Sequence, residues 1–98
     1  MKIPSVHLNG TGGVQLRDAN LHAYAMLLNA IEAARQAAPN ARDFYVQSNE
    51  AFGIARAEHE QRILELQRVA SNFCAIYEGV QEQLDEADRR RRPKLPGA

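Results

Sequence analysis

One cysteine, Cys74, in 98 residues removes both an internal disulfide framework and a multi-cysteine zinc site as sources of stability. It favours a reducing, intracellular setting. No stretch approaches the roughly 20 consecutive apolar residues of a membrane span, and Met1-Lys2-Ile3-Pro4 does not lead into the apolar segment of a signal peptide. Neither membrane insertion nor export by these routes is expected. The three histidines, His7, His22 and His59, are dispersed and lack zinc-binding spacing, so no metal or other cofactor is predicted. Catalytic groupings are equally scarce. Cys74 stands in a helical pattern without a histidine near it, and no serine occupies a nucleophile-elbow context. The only clustered carboxylates, Glu82, Asp85, Glu86 and Asp88, have the spacing of a solvated helix face. The sequence therefore reads as non-enzymatic.

What is present is 45% apolar and 24% charged residues, the balance of one small domain near the lower size limit for a self-sufficient core. The net charge of zero hides an asymmetry, because five of the twelve Lys/Arg residues follow Asp88 and all twelve Asp/Glu residues lie at or before it. An acidic body with a basic tail argues against a broad nucleic-acid-binding face. Any such contact would fall to Arg89–Arg92 and Lys94, and a nucleic-acid partner is not the favoured reading.

Pro4, Gly10, Gly12 and Gly13 punctuate the first residues, which reads as an N-terminal arm or loop over 1–15. From 16 to 38, Leu21, Tyr24, Leu28, Ile31 and Ala38 follow helical spacing, supported by alanine-rich intervening sequence. Pro39-Asn40 ends this helix. Residues 39–48 form a turn, either with a short helix opening after an Asn40 cap or as an ordered loop. From 49 to 88, Ile63, Leu66, Ala70, Phe73, Tyr77, Val80, Leu84 and Ala87 alternate at three and four residues, widened by Val69 and Ile76. Gly79 weakens that helix without stopping it. Residues 89–98 read as a basic disordered tail.

The fold class is thus all-α: a helical hairpin over 16–88 with a long second helix. About 23 residues of the first helix reach roughly 35 Å and about 40 of the second roughly 60 Å. The excess length carries Phe73, Tyr77, Val80 and Leu84 beyond the cover of one partner helix, which predicts assembly into a homo-oligomeric helical bundle.

Three polar segments are candidate sites. His7-Leu8-Asn9-Gly10-Thr11-Gly12-Gly13 precedes a helix start, where unpaired amides favour an anion, although it is neither a Walker loop nor a dinucleotide fingerprint. A simple arm or helix cap is the competing reading. Arg42, Asp43 and Tyr45, next to Asn40, could cradle a phosphate and stack a base. They could equally serve as caps while Phe44 or Tyr45 closes the core. His59 continues the second helix's seam and should point inward, with Glu58 and Arg62 as an i,i+4 pair and Arg56 nearby forming a buried polar cluster.

At these segments, His7-Leu8-Asn9-Gly10-Thr11, Asn40-Ala41-Arg42-Asp43-Phe44-Tyr45 and Glu58-His59 with Arg62, the chain resembles a group of short proteins of tailed bacteriophages and prophages. The resemblance covers about residues 6–84. The chain departs from it at Phe44, where tyrosine is usual, and at Gly12, where a serine-type cap is expected. The resemblance implies a phage setting in a bacterial host cell, where small helical oligomers sequester nucleotide signals of bacterial immunity without hydrolysing them. On that reading Arg42 and Arg62 bind phosphate and Tyr45 stacks. Asn9, Thr11 and Asn40 supply hydrogen bonds, Asp43 belongs to the same ligand-binding set, and His7 or His59 contributes polar contacts or a pH-sensitive charge. The rival reading is an adaptor that binds a virion or host protein through the helical seam.

Overall fold

The computed structural model describes residues 1–92, and those residues are all-helical, with no strand among them. The topology is that of a helical hairpin: α1 spans Gly13–Gln36, a 3-10 turn spans Ala41–Asp43, and α2 spans Ala51–Arg91.

Each element starts and stops for local reasons. The carbonyl of Gly12 accepts the Leu16 amide, which opens α1 three residues before the predicted start. Glycine there supplies the backbone acceptor without a capping side chain. Pro39 lies just past the end of α1 and cannot continue it. Asn40 then has extended backbone, and its side chain accepts from the Arg42 amide at 2.9 Å, closing the 3-10 turn. The helix α2 runs through Gly79 to Arg91, so Arg89–Arg91 belong to the helix and not to a disordered tail. Ion pairs of Arg89 and Arg90 with Glu86, and of Arg92 with Asp88, tie this last turn together at helical spacing. The remainder of the predicted tail, including Lys94, lies outside the described residues.

The chain divides into two compact units. One comprises Met1–Ala23 with the chain from Asn72 onward, and the other is Tyr24–Ser71. In the first unit the helices run antiparallel, with Gly13 against Leu84 and the Arg17 guanidinium donating to Gln81 at 3.3 Å. A Cβ on Gly13 would sit 2.6 Å from a Leu84 methyl, so a larger residue there would have to displace the Leu84 side chain. Val80 is fully enclosed, while Phe73, Tyr77 and Leu84 are half-buried. The predicted uncovered length of α2 is therefore corrected: α1 begins opposite Leu84, and the N-terminal arm lies along α2, with Ile3 against Gly79 and Val6 bonded to Gln83.

The second unit is built around Ile31 and Ala70, 4% and 3% exposed. Tyr24, Leu27 and Ala34 share the inward side of α1 with Ile31 and are half-buried. Leu28, which follows the helical spacing of the first helix, is exposed, and so is Leu21 in the first unit. At 100° per residue, the stripe Tyr24, Leu27, Ile31 and Ala34 turns positions 21 and 28 toward the flank.

Candidate functional site

The first polar segment is a formed turn. The Gly10 amide donates to the His7 carbonyl at 3.2 Å, and the His7 imidazole folds over Gly10 so closely that a Cβ there would lie 2.7 Å from Nε2. His7, Asn9 and Thr11 are all exposed around this turn, and Leu8 at its tip is 99% exposed. The segment is anchored just before and just after. Val6 donates its amide to Gln83 Oε1 at 2.8 Å, and Gly13 opens α1 with the Val6 side chain packed against it.

The second segment is an ordered 3-10 turn whose polar groups face solvent. Asn40 Oδ1 accepts both the Arg42 amide and, at 3.4 Å, the Arg42 Nε. That pairing holds the guanidinium at its root, and Arg42 as a whole is exposed. Asp43 is exposed, its amide held by the Asn40 carbonyl. Phe44 is half-buried, whereas Tyr45 is 76% exposed. The aromatic plug is therefore Phe44, and Tyr45 offers a bare ring with a phenol.

At the third segment the predicted buried polar cluster does not form. Among the described residues no polar or charged side chain is fully buried, and Glu58 and Arg62 are exposed without an ion pair between them. The pair that does form is Arg56 with Glu60, at 3.5 Å. Residues 58 and 62 lie one step of about 100° away from 59 and 63, so an inward His59 and Ile63 carry them to solvent. His59 is half-buried, and its Nε2 is enclosed with no hydrogen-bond partner. Beside it lies an open groove of about 420 Å³ lined by Arg35, Ala38, His59, Glu60, Ile63 and Leu64.

The structure thus places His7, Asn9 and Thr11 in the first unit and Asn40, Arg42, Asp43, Tyr45, His59 and Arg62 in the second. Six arginines, 17, 35, 56, 89, 90 and 92, pair with carboxylates. Among the described residues, Arg42 and Arg62 form no ion pair, a state they share with Arg68 and Arg91. The basic end of α2 is largely self-neutralised: hydrogen bonding and charge attraction from Arg89 hold the Glu86 carboxyl below its ordinary range, and Glu86 in turn raises Arg89.

Sequence reasoning missed Gln83. Its amide accepts from the Val6 amide and donates to the Pro4 carbonyl at 2.7 Å, which fixes the arm on α2. A polar residue next to the seam residue Leu84 was the available signal, but nothing in the sequence pairs it with residues 77 and 79 positions away.

Among the described residues no three His, Cys, Asp or Glu side chains come together to hold a metal ion, and no helix is long and apolar enough to cross a membrane. Compared with known proteins, the chain matches no family model, no curated protein and no solved structure.

Proposed function

We propose that this is a non-catalytic binding protein of a phage setting in the bacterial cytoplasm. Copies of the chain associate, and an arm turn from one and a 3-10 turn from another enclose a small anionic, nucleotide-like ligand. The observation that carries the reading is the disposition of the polar residues. Arg42, Tyr45, Asn9 and Thr11 are exposed on formed turns, and among the described residues Arg42 and Arg62 have no carboxylate partner. A cation and a bare phenol on one turn suit a phosphate and a stacked base. None of these residues lines the groove beside His59, and on this reading a second copy completes the pocket.

Exposed apolar side chains support association. Within the second unit, Ile54 and Leu64 are 59% and 57% exposed on α2, and they are natural contributors.

Thermal melting with cyclic and linear nucleotides, inorganic phosphate and adenosine tests the reading. A bound nucleotide at 100 times its dissociation constant stabilises the fold by roughly 2.7 kcal/mol. Arg42→Ala and Tyr45→Ala should abolish the shift, and a flat response of the unaltered chain to every compound would remove the ligand. The exposed Ile54 and Leu64 also favour a second reading, an adaptor that uses this face for a virion or host protein. It predicts that flat response together with a monomeric chain. The nucleic-acid reading is weaker, because Arg89, Arg90 and Arg92 are engaged with Glu86 and Asp88. It predicts salt-sensitive retention on DNA or RNA that is lost on deleting residues 89–98.

A further inference from the structure

The arm is held to the first unit by a built device. Four residues apart on α2, Gly79 and Gln83 share one face. Gln83 uses both halves of its side-chain amide on the arm backbone, accepting from Val6 N–H at 2.8 Å and donating to the Pro4 carbonyl at 2.7 Å. This replaces the bonds a neighbouring strand would provide to an extended segment. One turn earlier, Gly79 leaves a notch for Ile3: a Cβ there would lie 2.7 Å from Ile3 Cγ2. Val6 itself packs on Gly13, where a Cβ would meet its methyls at 3.0 and 3.3 Å. Residues 7–12 therefore form a short loop between two fixed points, with a turn closed by Gly10 and His7 inside it.

We propose that Gln83, seated beside the Gly79 notch, is a positioning residue that presents the His7–Thr11 turn already formed, so that the turn does not order only when ligand arrives. The ligand role of that turn rests on the function proposed above, but the latch itself does not. A preformed turn spares the ordering cost that a loose arm would meet on binding. It also accounts for a glycine in the middle of a 41-residue helix, where helix propensity alone disfavours one.

The test uses the full chain and three variants: Gln83→Met, Gly79→Ala, and Gly79→Ala combined with Ile3→Ala. Amide exchange at Val6 and Gly10 is followed by NMR, with helix content and native mass as controls. Gln83→Met should lower Val6 protection about tenfold, as the loss of two hydrogen bonds implies, with helix content unchanged. Gly79→Ala improves intrinsic helix propensity, so a purely structural role for this position predicts a better-ordered chain. The latch instead predicts a loosened arm, with protection recovered in the double variant because removing the Ile3 branches vacates the notch. Binding of AMP, where the unaltered chain shows it, should weaken in parallel with the lost protection. Unchanged Val6 and Gly10 exchange in Gln83→Met, or an equally ordered arm in Gly79→Ala, would overturn the proposal. So would full AMP affinity in a variant whose arm has loosened. If the unaltered chain ignores AMP and every other nucleotide, the functional reading fails, and exchange still decides the latch.

Discussion

In the unit that contains the N-terminus, α2 is covered by α1 and also by the arm, and Val80 loses all contact with water. In the unit Tyr24–Ser71 no segment takes the arm's part. Ile54 and Leu64 stay open, and His59 hides a nitrogen that has no hydrogen-bond partner among the described residues. Along α2 the first unit sets paired polar groups, Gln83 with the arm backbone and Arg17 with Gln81, while Leu8 and Val14 elsewhere in that unit are 99% and 52% exposed. The second leaves apolar surface and orphaned polar capacity. The difference teaches where association should occur. Along α2, a second copy has little apolar surface to cover where the arm is strapped and more to cover around Ile54 and Leu64.

The largest effect should come from attacking the enclosed positions. Val80→Asp buries an unpaired carboxylate where no partner waits, and Ile31→Ala opens a cavity in the other unit. Each should cost about 3 kcal/mol or more in urea unfolding, a large share of the whole stability of a small domain. A loss below about 1 kcal/mol at either position would deny that the two cores carry the fold. Next, Ile54→Lys with Leu64→Lys should leave helix content intact while weakening the proposed self-association at least about tenfold by sedimentation, since each change would set a solvated charge in the proposed contact. Unchanged association would move the interface elsewhere.

A smaller effect sharpens the contrast at His59. Replacing it with leucine removes an unbonded nitrogen, so stability should hold or rise by about 1 kcal/mol. A clear loss would reveal a partner for Nε2, one supplied by another copy. The smallest effect belongs to the basic end of α2. Because Arg89 depresses the Glu86 carboxyl, its stabilising contribution is present above the ordinary value of 4.5 and fades as pH falls through the lower folded value. NMR shifts of residues 89–91 should show fraying only below about pH 4.5, and Glu86→Gln should flatten the profile.

How much of this was legible in the sequence depends on the range of the interaction. The α2 seam was readable because residues spaced by three and four on one helix must share a side. Ile63, Leu66, Ala70, Phe73, Tyr77, Val80, Leu84 and Ala87 are all buried or half-buried. The stop at Pro39 and the Asn40 cap were readable for the same local reason. The flank occupied by Leu21 and Leu28 was not, because spacing gives a stripe but not its rotation against a partner. Glu58 and Arg62 had permissible spacing and no pairing, since exposed partners at i,i+4 are held by a few tenths of a kcal/mol. The arm was least legible. Its docking depends on a notch at Gly79 and an amide at Gln83, far along the chain from Ile3 and Val6, and a glycine that weakens a helix looks the same in sequence whether or not something fits into it.

The mass of the full chain in solution bears most directly on the claim that separate copies complete the pocket. Native mass spectrometry or light scattering at micromolar concentration should return a whole-number multiple, two or more, of 10.9 kDa. A folded, helical species of one chain's mass under those conditions would contradict it.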